Sequence, residues 1–428
     1  MSRSPSSTPS GHGTAPETPE VPGAVAAPEA PELPLLAAPA DGLPPLTDTP
    51  EALAAAVDAL AAGTGPVAVD AERASGYRYG QDAQLVQLRR AGAGTVLVDP
   101  RALPDLSAVG EALGSAEWVL HAANQDLACL AGVGLRPGGE LFDTELGGRL
   151  AGYQRVGLGA VVERLLGVRL AKEHSAVDWS ARPLPEPWLL YAALDVELLV
   201  DLRDALAADL AAQGKLEWAR QEFAAVRDAP PAPPRTDPWR RTSGLHAVRQ
   251  RRQLAAVREL WLSRDELARK RDTAPGRVLP DRAVVAAAQA MPTSTRELAA
   301  LPVFSGPANR RLGARWLEAI DRARALPESQ LPPHSLPTDG PPPPRAWKDR
   351  DPEAAERLTR ARAALTELSE EVDVPLENLL SPDAVRRLCW EPPADAGTEG
   401  VSAWLATAGA RPWQRELTAE LLARALAG

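Results

Sequence analysis

Two proline-dense stretches, DAPPAPPRTDP at 228–238 and LPPHSLPTDGPPPPR at 331–345, most constrain what this 428-residue chain can fold into. Proline fixes φ and removes a backbone donor, so neither stretch continues a helix or a central strand. They divide the chain into modules, which suits a length too great for one ordinary core. We expect an ordered module over 46–228, a linker over 229–239 and a helical module over 240–326. A second linker over 327–346 and a further helical module over 347–428 complete the chain. Residues 1–45 are rich in Pro, Ala and Ser without hydrophobic periodicity, and are expected to be an unstructured tail.

Charge is distributed unevenly over these modules. The whole chain carries −10, yet residues 235–325 hold 19 Arg and Lys against 9 Asp and Glu, a local balance of +10. A basic module is joined to an acidic body. No run of about 18 apolar residues suggests a membrane span. The start, MSRSPSSTPSGHGTAPETPEVPGAV, has no apolar segment of signal-peptide length and carries acids that a transit peptide avoids. A cytoplasmic protein is the expectation. Cys129 and Cys389 stand far apart, and the histidines (12, 121, 174, 246 and 334) are scattered. That pattern argues against a disulfide framework and against a zinc centre.

The first module reads as strands and helices together. In LTDTPEALAAAVDALAAG, Asp48 or Thr49 caps, Pro50 suits the first helical position and Gly63 ends the helix. Three strands follow, PVAVDAE, AQLVQLRR and TVLVDP, separated by glycine-bearing turns. A helix over 104–114, a strand over 118–122, a helix from about 124, and long helical character over 185–213 complete the pattern. It predicts an α/β domain, a mixed sheet flanked by helices. The remainder reads as all-α.

Within this module four acids stand in apolar sequence, where an ionised carboxylate needs compensation. Asp70 and Glu72 in PVAVDAER occupy alternate strand positions and share one face. Asp126 follows a strand in VLHAANQDLACL; Asp195 in YAALDVELL lies one helical turn after Tyr191. Singly, each has an ordinary structural reading: a strand-end acid with a nearby arginine, an acid at a helix start, a surface aspartate, a core-edge tyrosine. Together they would form an oxygen-only ligand set suited to Mg²⁺ or Mn²⁺. Two such ions stabilise the attacking and leaving oxygens of displacement at phosphorus. A tyrosine on the face of the last acid could orient or help deprotonate the attacking water.

The order D-x-E, then H-A-x-x-x-D-L, then Y-x-x-x-D resembles the DEDDy exonucleases, ribonuclease D in particular. QLVQL at 84–88, FDT at 142–144 and DWSARPL at 178–184 strengthen the likeness, which covers about residues 50–325. It implies an RNase H-like exonuclease domain that removes nucleotides from RNA 3′ ends as 5′-monophosphates, on tRNA precursors or other structured RNAs. Asp70, Glu72, Asp126 and Asp195 would hold two divalent ions, Mg²⁺ or Mn²⁺, and Tyr191 would place the water. The basic module resembles an HRDC domain, a helical nucleic-acid-binding unit, and the last module a second, degenerate one. A membrane or an obligate protein partner is not implied. This sequence departs from the pattern at Ala71, where threonine is common, at Arg73, where an aromatic is expected, and at Trp188, where glutamine is frequent.

RNA contacts are expected from Arg73, from Tyr77 and Tyr79 as stacking surfaces, and from Arg182 as a phosphate contact or as the ion-pair partner of Asp178. The basic run contributes Arg249, Arg251 and Arg252. His121 sits in the second motif and is read as a strand-end packing residue rather than the histidine of the DEDDh subtype. GLGAVV at 157–162 lacks the third glycine of a dinucleotide loop and is read as a helix start. Two alternatives stay open: a DNA-directed exonuclease of the Werner type, and a non-catalytic RNA-binding adaptor on a dead exonuclease fold.

Overall fold

Thr49 starts the first helix: its hydroxyl accepts the Ala52 N–H and caps α1 (Pro50–Ala62), which ends at Gly63. In a computed structural model, residues 33–171, 177–304, 306, 310–336 and 340–428 are described. Most of the expected tail, with His12, and also His174 lie outside the described residues. Order begins before residue 45, inside the expected tail. Strand β1 (Leu35–Leu36) pairs in parallel with β8 (Arg169–Leu170), and the Ala40 N–H donates to Glu197.

The central sheet has six strands: β2 (Leu46–Thr47), β3 (Thr64–Arg73), β4 (Ala83–Ala91), β5 (Gly94–Val98), β6 (Trp118–Leu120) and β7 (Leu141–Asp143). Their spatial order is β2-β5-β4-β3-β6-β7. β3, β4 and β5 form an antiparallel meander, while β6, β7 and β2 join in parallel, giving the mixed sheet read from the sequence. β3 is therefore central, paired on both sides. Alternation along it places Val67, Val69 and Ala71 in a core with α1, α2 (Ser107–Leu113) and α3 (Leu127–Gly132). Ala68, Asp70 and Glu72 point the other way. That face is covered by α4 (Thr144–Leu150), α5 (Leu158–Leu166), α6 (Glu186–Glu197), α7 (Leu199–Ala212) and α8 (Leu216–Arg227).

Local departures from the sequence reading have local causes. The strand expected over 118–122 stops at Leu120, because Ala122 turns into the left-handed region at φ 60°. The helix expected from about 124 begins as a single 3₁₀ turn, Ala123–Gln125, and becomes α3 after Asp126. Helical character over 185–213 is two helices, broken at Leu198.

The basic module packs around α9 (Arg251–Lys270) and the helix Gly313–Ala325, with a core of its own. That core reaches outside the expected bounds, taking in Trp239 and Leu331 from the two linkers. Arg251 and Arg252 explain the second extension. Arg252 donates to the carbonyls of Ala323, Arg324 and Leu326, the unsatisfied end of helix Gly313–Ala325. Arg251 donates to the carbonyls of Glu328, Leu331 and Pro332. In this structure both arginines bind carbonyls of the module's own chain.

The last module joins the nuclease core directly. Val374, Leu379 and Trp413 belong to the cluster that holds Phe142, Leu202 and Phe223. Trp413 stacks on Trp218 at 5.0 Å, its indole N–H donates to Glu222 at 2.9 Å, and Arg411 pairs with the same carboxylate. Among the described residues, no helix is long and apolar enough to cross a membrane. Replacing Arg252 with alanine strands three carbonyls, so we expect it to lower unfolding free energy by about 1.5–3 kcal/mol in urea titration.

Candidate active site

The D-x-E pair sits at the C-terminal end of β3, opposite Gln87 and Leu85 of β4. Helix α6 crosses that face and brings Asp195 to it. One carboxylate oxygen each from Asp70, Glu72 and Asp195 lie within 4.8 Å of one another. Tyr191, one turn earlier on α6, lies beside Asp195, and burial together with the Asp195 and Glu72 charges raises its pKa. The fold thus collects three of the four expected acids, and the tyrosine, from segments more than 120 residues apart.

Asp126 comes close without joining that triad. It ends the 3₁₀ turn and is 5% exposed, with Arg73 at 3.3 Å from Oδ1. The other arm of Arg73 donates to the Gln125 carbonyl at 2.8 Å. Arg73, expected at the RNA, is in this structure the counter-ion of the fourth acid. Its position after Glu72 on a twisted strand end, across from the α3 turn, permits both bonds.

Electrostatics confirm how crowded the acids are. Burial pushes Asp70 up to about 6, against the pull of the Ala71 amide and Arg73. Glu72 rises to about 10, by burial first and then by Asp70, Asp195 and Asp126. Asp126 rises to about 7 through burial and Asp70, with Arg73 opposing. Asp195 and Tyr191 are raised as well, again with burial as the largest cause. Among the described residues the triad offers only hard oxygen donors, and Arg73 favours the charged forms of Asp70, Glu72 and Asp126. The donor set therefore fits a divalent cation, which would neutralise the cluster without displacing it.

The motif DWSARPL forms a brace behind α6. Trp179 is buried against Trp188 and Tyr191, at 5.7 and 6.2 Å between ring centroids. Ser180 is held by Arg78 through its hydroxyl and by Arg101 through its carbonyl. Arg182 makes a two-point ion pair with Asp99 at 2.6 and 2.7 Å and donates to the carbonyls of Gln84, Trp179 and Ala181. Its partner is Asp99 rather than Asp178, which binds Ser180, and its donors are consumed by the brace rather than by a phosphate. QLVQL supplies the Gln84 carbonyl and, in Gln87, a fully buried amide with neither side-chain atom hydrogen-bonded, directly across from Asp70.

Tyr77 and Tyr79 face the basic module rather than open solvent. The Tyr79 hydroxyl bonds Asp265 and its ring packs against the module's core. Arg277 lies 4.0 Å over the Tyr77 ring, and the Tyr77 carbonyl accepts the Ala274 N–H. Both tyrosines take part in docking the two modules together. Arg249 is exposed just before α9, about 30 Å along that helix from the docked end. Exposed Arg269, Lys270 and Arg271 stand at the docked end, a placement that periodicity in the sequence does not reveal. His121 is half-buried beside Thr144, with its pKa lowered to about 4 by desolvation, and is not part of the acids' cluster.

Each raised carboxyl has a folded-state pKa above its unfolded one, so its contribution favours folding at low pH. That contribution is lost as pH rises from about 4 through 6 and 7 toward 10. The metal-free melting temperature should therefore fall between about pH 5 and about pH 8 in calorimetric scans, and the increment given by added Mn²⁺ should grow over the same range.

Comparison with known proteins agrees with this geometry. The family profile described as 3′-5′ exonuclease matches residues 46–211, the HRDC domain profile 253–320, and the 3′ to 5′ exonuclease C-terminal domain 340–426. Ribonuclease D of Gluconacetobacter diazotrophicus is 32% identical over 338 residues, 77% of this chain and 82% of that protein. A crystal structure of a Bifidobacterium adolescentis protein superposes with a TM-score of 0.85 at 40% identity, covering 93% of this chain and all of that one. Escherichia coli RNase D, described as an exoribonuclease involved in structured RNA processing, gives a TM-score of 0.64 at 28% identity over 90% of this chain and 98% of that one. The chain belongs to the ribonuclease D family and is a 3′-5′ exoribonuclease.

Proposed function

We propose that this exoribonuclease shortens structured RNAs such as tRNA precursors from the 3′ end, releasing 5′-mononucleotides with two Mg²⁺ or Mn²⁺ ions. The observation that carries the reading is the triad of Asp70, Glu72 and Asp195 oxygens within 4.8 Å, with Tyr191 one helical turn before Asp195 on α6. Asp70, Glu72, Asp126 and Asp195 hold the ions, which when bound supply positive charge to the attacking and leaving oxygens at phosphorus. Tyr191 is placed to hold the attacking water beside Asp195 and turn its lone pair toward the phosphorus. Arg73 keeps Asp126 at the rim of the triad. The brace behind α6 keeps the tyrosine ring from rotating away.

RNA reaches these acids past the docked end of α9. Arg269, Lys270 and Arg271 are exposed there, beside the loop that follows Glu72, because Asp272 binds Arg78 and the Tyr79 amide. A phosphodiester backbone crossing this surface meets cations close to the acids, which favours entry of a 3′ end. The last module carries 10 Lys and Arg against 15 Asp and Glu over 347–428, a poor match for phosphate. Its contribution is to the nuclease core.

The direct test is 3′-labelled RNA and DNA incubated with the purified chain, with and without Mn²⁺. Stepwise mononucleotide release from RNA with metal is expected, falling by at least about 10³-fold in Asp70→Asn. Full activity in that variant rules out the metal-site assignment, and faster loss of DNA than RNA assigns a DNA substrate. Replacing both Lys270 and Arg271 with alanine should weaken RNA binding. The slope of log K against log salt should flatten by about 1.4, the value for two single-strand phosphate contacts.

A further inference from the structure

The FDT stretch at 142–144 plays no part in the chemistry above, yet it is tied to the turn that delivers one of the acids. Asp143 ends β7 and is 3% exposed. Its Oδ1 accepts the N–H groups of Glu145 and Leu146 at 2.9 and 3.1 Å, the ordinary cap of α4. The same carboxylate reaches back 20 residues. Oδ1 accepts the Ala122 N–H at 3.0 Å and Oδ2 the Ala123 N–H at 2.9 Å. A helix cap needs neither of these two bonds.

The turn held by those bonds carries Asp126. Ala122 adopts φ 60°, a conformation that a side chain disfavours, and the 3₁₀ turn Ala123–Gln125 follows at once. Asp126 then starts α3 without using its side chain as a cap, which leaves the carboxylate for Arg73 and the acids beside it. Thr144 fastens the other side: its hydroxyl donates to the Leu120 carbonyl at 3.2 Å and lies 2.9 Å from His121 Nδ1. Residues 120–123 are thus bound on both flanks by the two residues that end β7 and begin α4. The cleft beside the clamp, about 290 Å³, is closed by Glu377 and Asn378 of the last module.

We propose that Asp143 is a positioning residue for the exonuclease reaction: it holds the Ala122 and Ala123 amides so that the strained turn presents Asp126 to the other acids. This rests on the metal-dependent reading above. Removing the clamp leaves the turn free to relax toward ordinary backbone angles, and Asp126 then moves away from its partners. A buried residue that merely stabilised the fold would lower the melting temperature without separating kcat from KM or changing metal affinity.

Two substitutions separate the cap from the clamp. Asp143→Asn keeps the shape, but its amide turns an N–H toward at least one backbone N–H. Asp143→Ser retains a capping hydroxyl and is too short to reach residues 122 and 123. Each full-length variant is compared with wild type by thermal melting, by steady-state kinetics on a short 3′-labelled RNA, and by calorimetric titration of Mn²⁺ into metal-free protein. Both variants should stay folded with KM unchanged, while kcat and Mn²⁺ affinity each fall about 10–100-fold, the range for removal of a residue that orients a metal ligand. Wild-type kcat and Mn²⁺ affinity in either variant overturn the proposal. Failure of both variants to fold also overturns it, by making Asp143 a structural residue. Wild-type protein that neither binds Mn²⁺ nor shortens RNA overturns the functional reading itself.

Discussion

Repulsion among buried carboxylates is the interaction on which the rest of this structure depends. Asp70, Glu72 and Asp195 approach within 4.8 Å, and Asp126 is held beside them. Left alone, such groups separate, take up protons or draw in water. The fold resists separation by placing two of them on an interior strand of the sheet, paired along its length with β4. The third rides on α6, which packs across β3, β4 and β5 and is backed by Trp179 and the Arg182–Asp99 pair. Energy stored in the repulsion becomes affinity for cations. The same arrangement that weakens the metal-free fold presents an oxygen-only donor set of the kind that suits hard divalent ions.

A second constraint is how the modules are attached. The last module is fused to the nuclease through apolar contacts and the buried Glu222, so it belongs to the catalytic body despite lying 120 residues further along the chain. The basic module keeps its own core. It touches the nuclease through polar and aromatic contacts at residues 76–79, the loop that leaves the D-x-E strand. Under the proposed function, RNA bound on the basic surface would meet the loop that leaves the D-x-E strand. The division into a shared core and a docked binding unit matches the division of charge between the modules.

Much of this was legible in the sequence, for identifiable reasons. Strand alternation places Asp70 and Glu72 on one face, and helical spacing places Tyr191 over Asp195, because both patterns are local. The mixed sheet follows from three strands in succession and then alternation with helices. What could not be read were partners distant in sequence. Arg252 looks like a solvated basic residue until the end of helix Gly313–Ala325 arrives beside it. Arg182 reads equally as a phosphate contact or as the partner of Asp178, its near neighbour, whereas Asp99, 83 residues away, holds it. Tyr77 and Tyr79 have the composition of a stacking surface, and only the three-dimensional fold shows that they take part in docking the two modules. Asp143 reads as a helix cap, which it is; its hold on residues 122 and 123 exists only in three dimensions.

The account turns on whether the fold forces these acids together in order to hold cations. Counting ions by calorimetric titration of Mn²⁺ into metal-free wild type and Asp195→Asn tests this most directly. We expect two saturable sites in wild type, with protons released as the raised carboxyls ionise, and loss of at least one site in the variant. Absence of saturable binding in wild type, or identical binding in the variant, would contradict it.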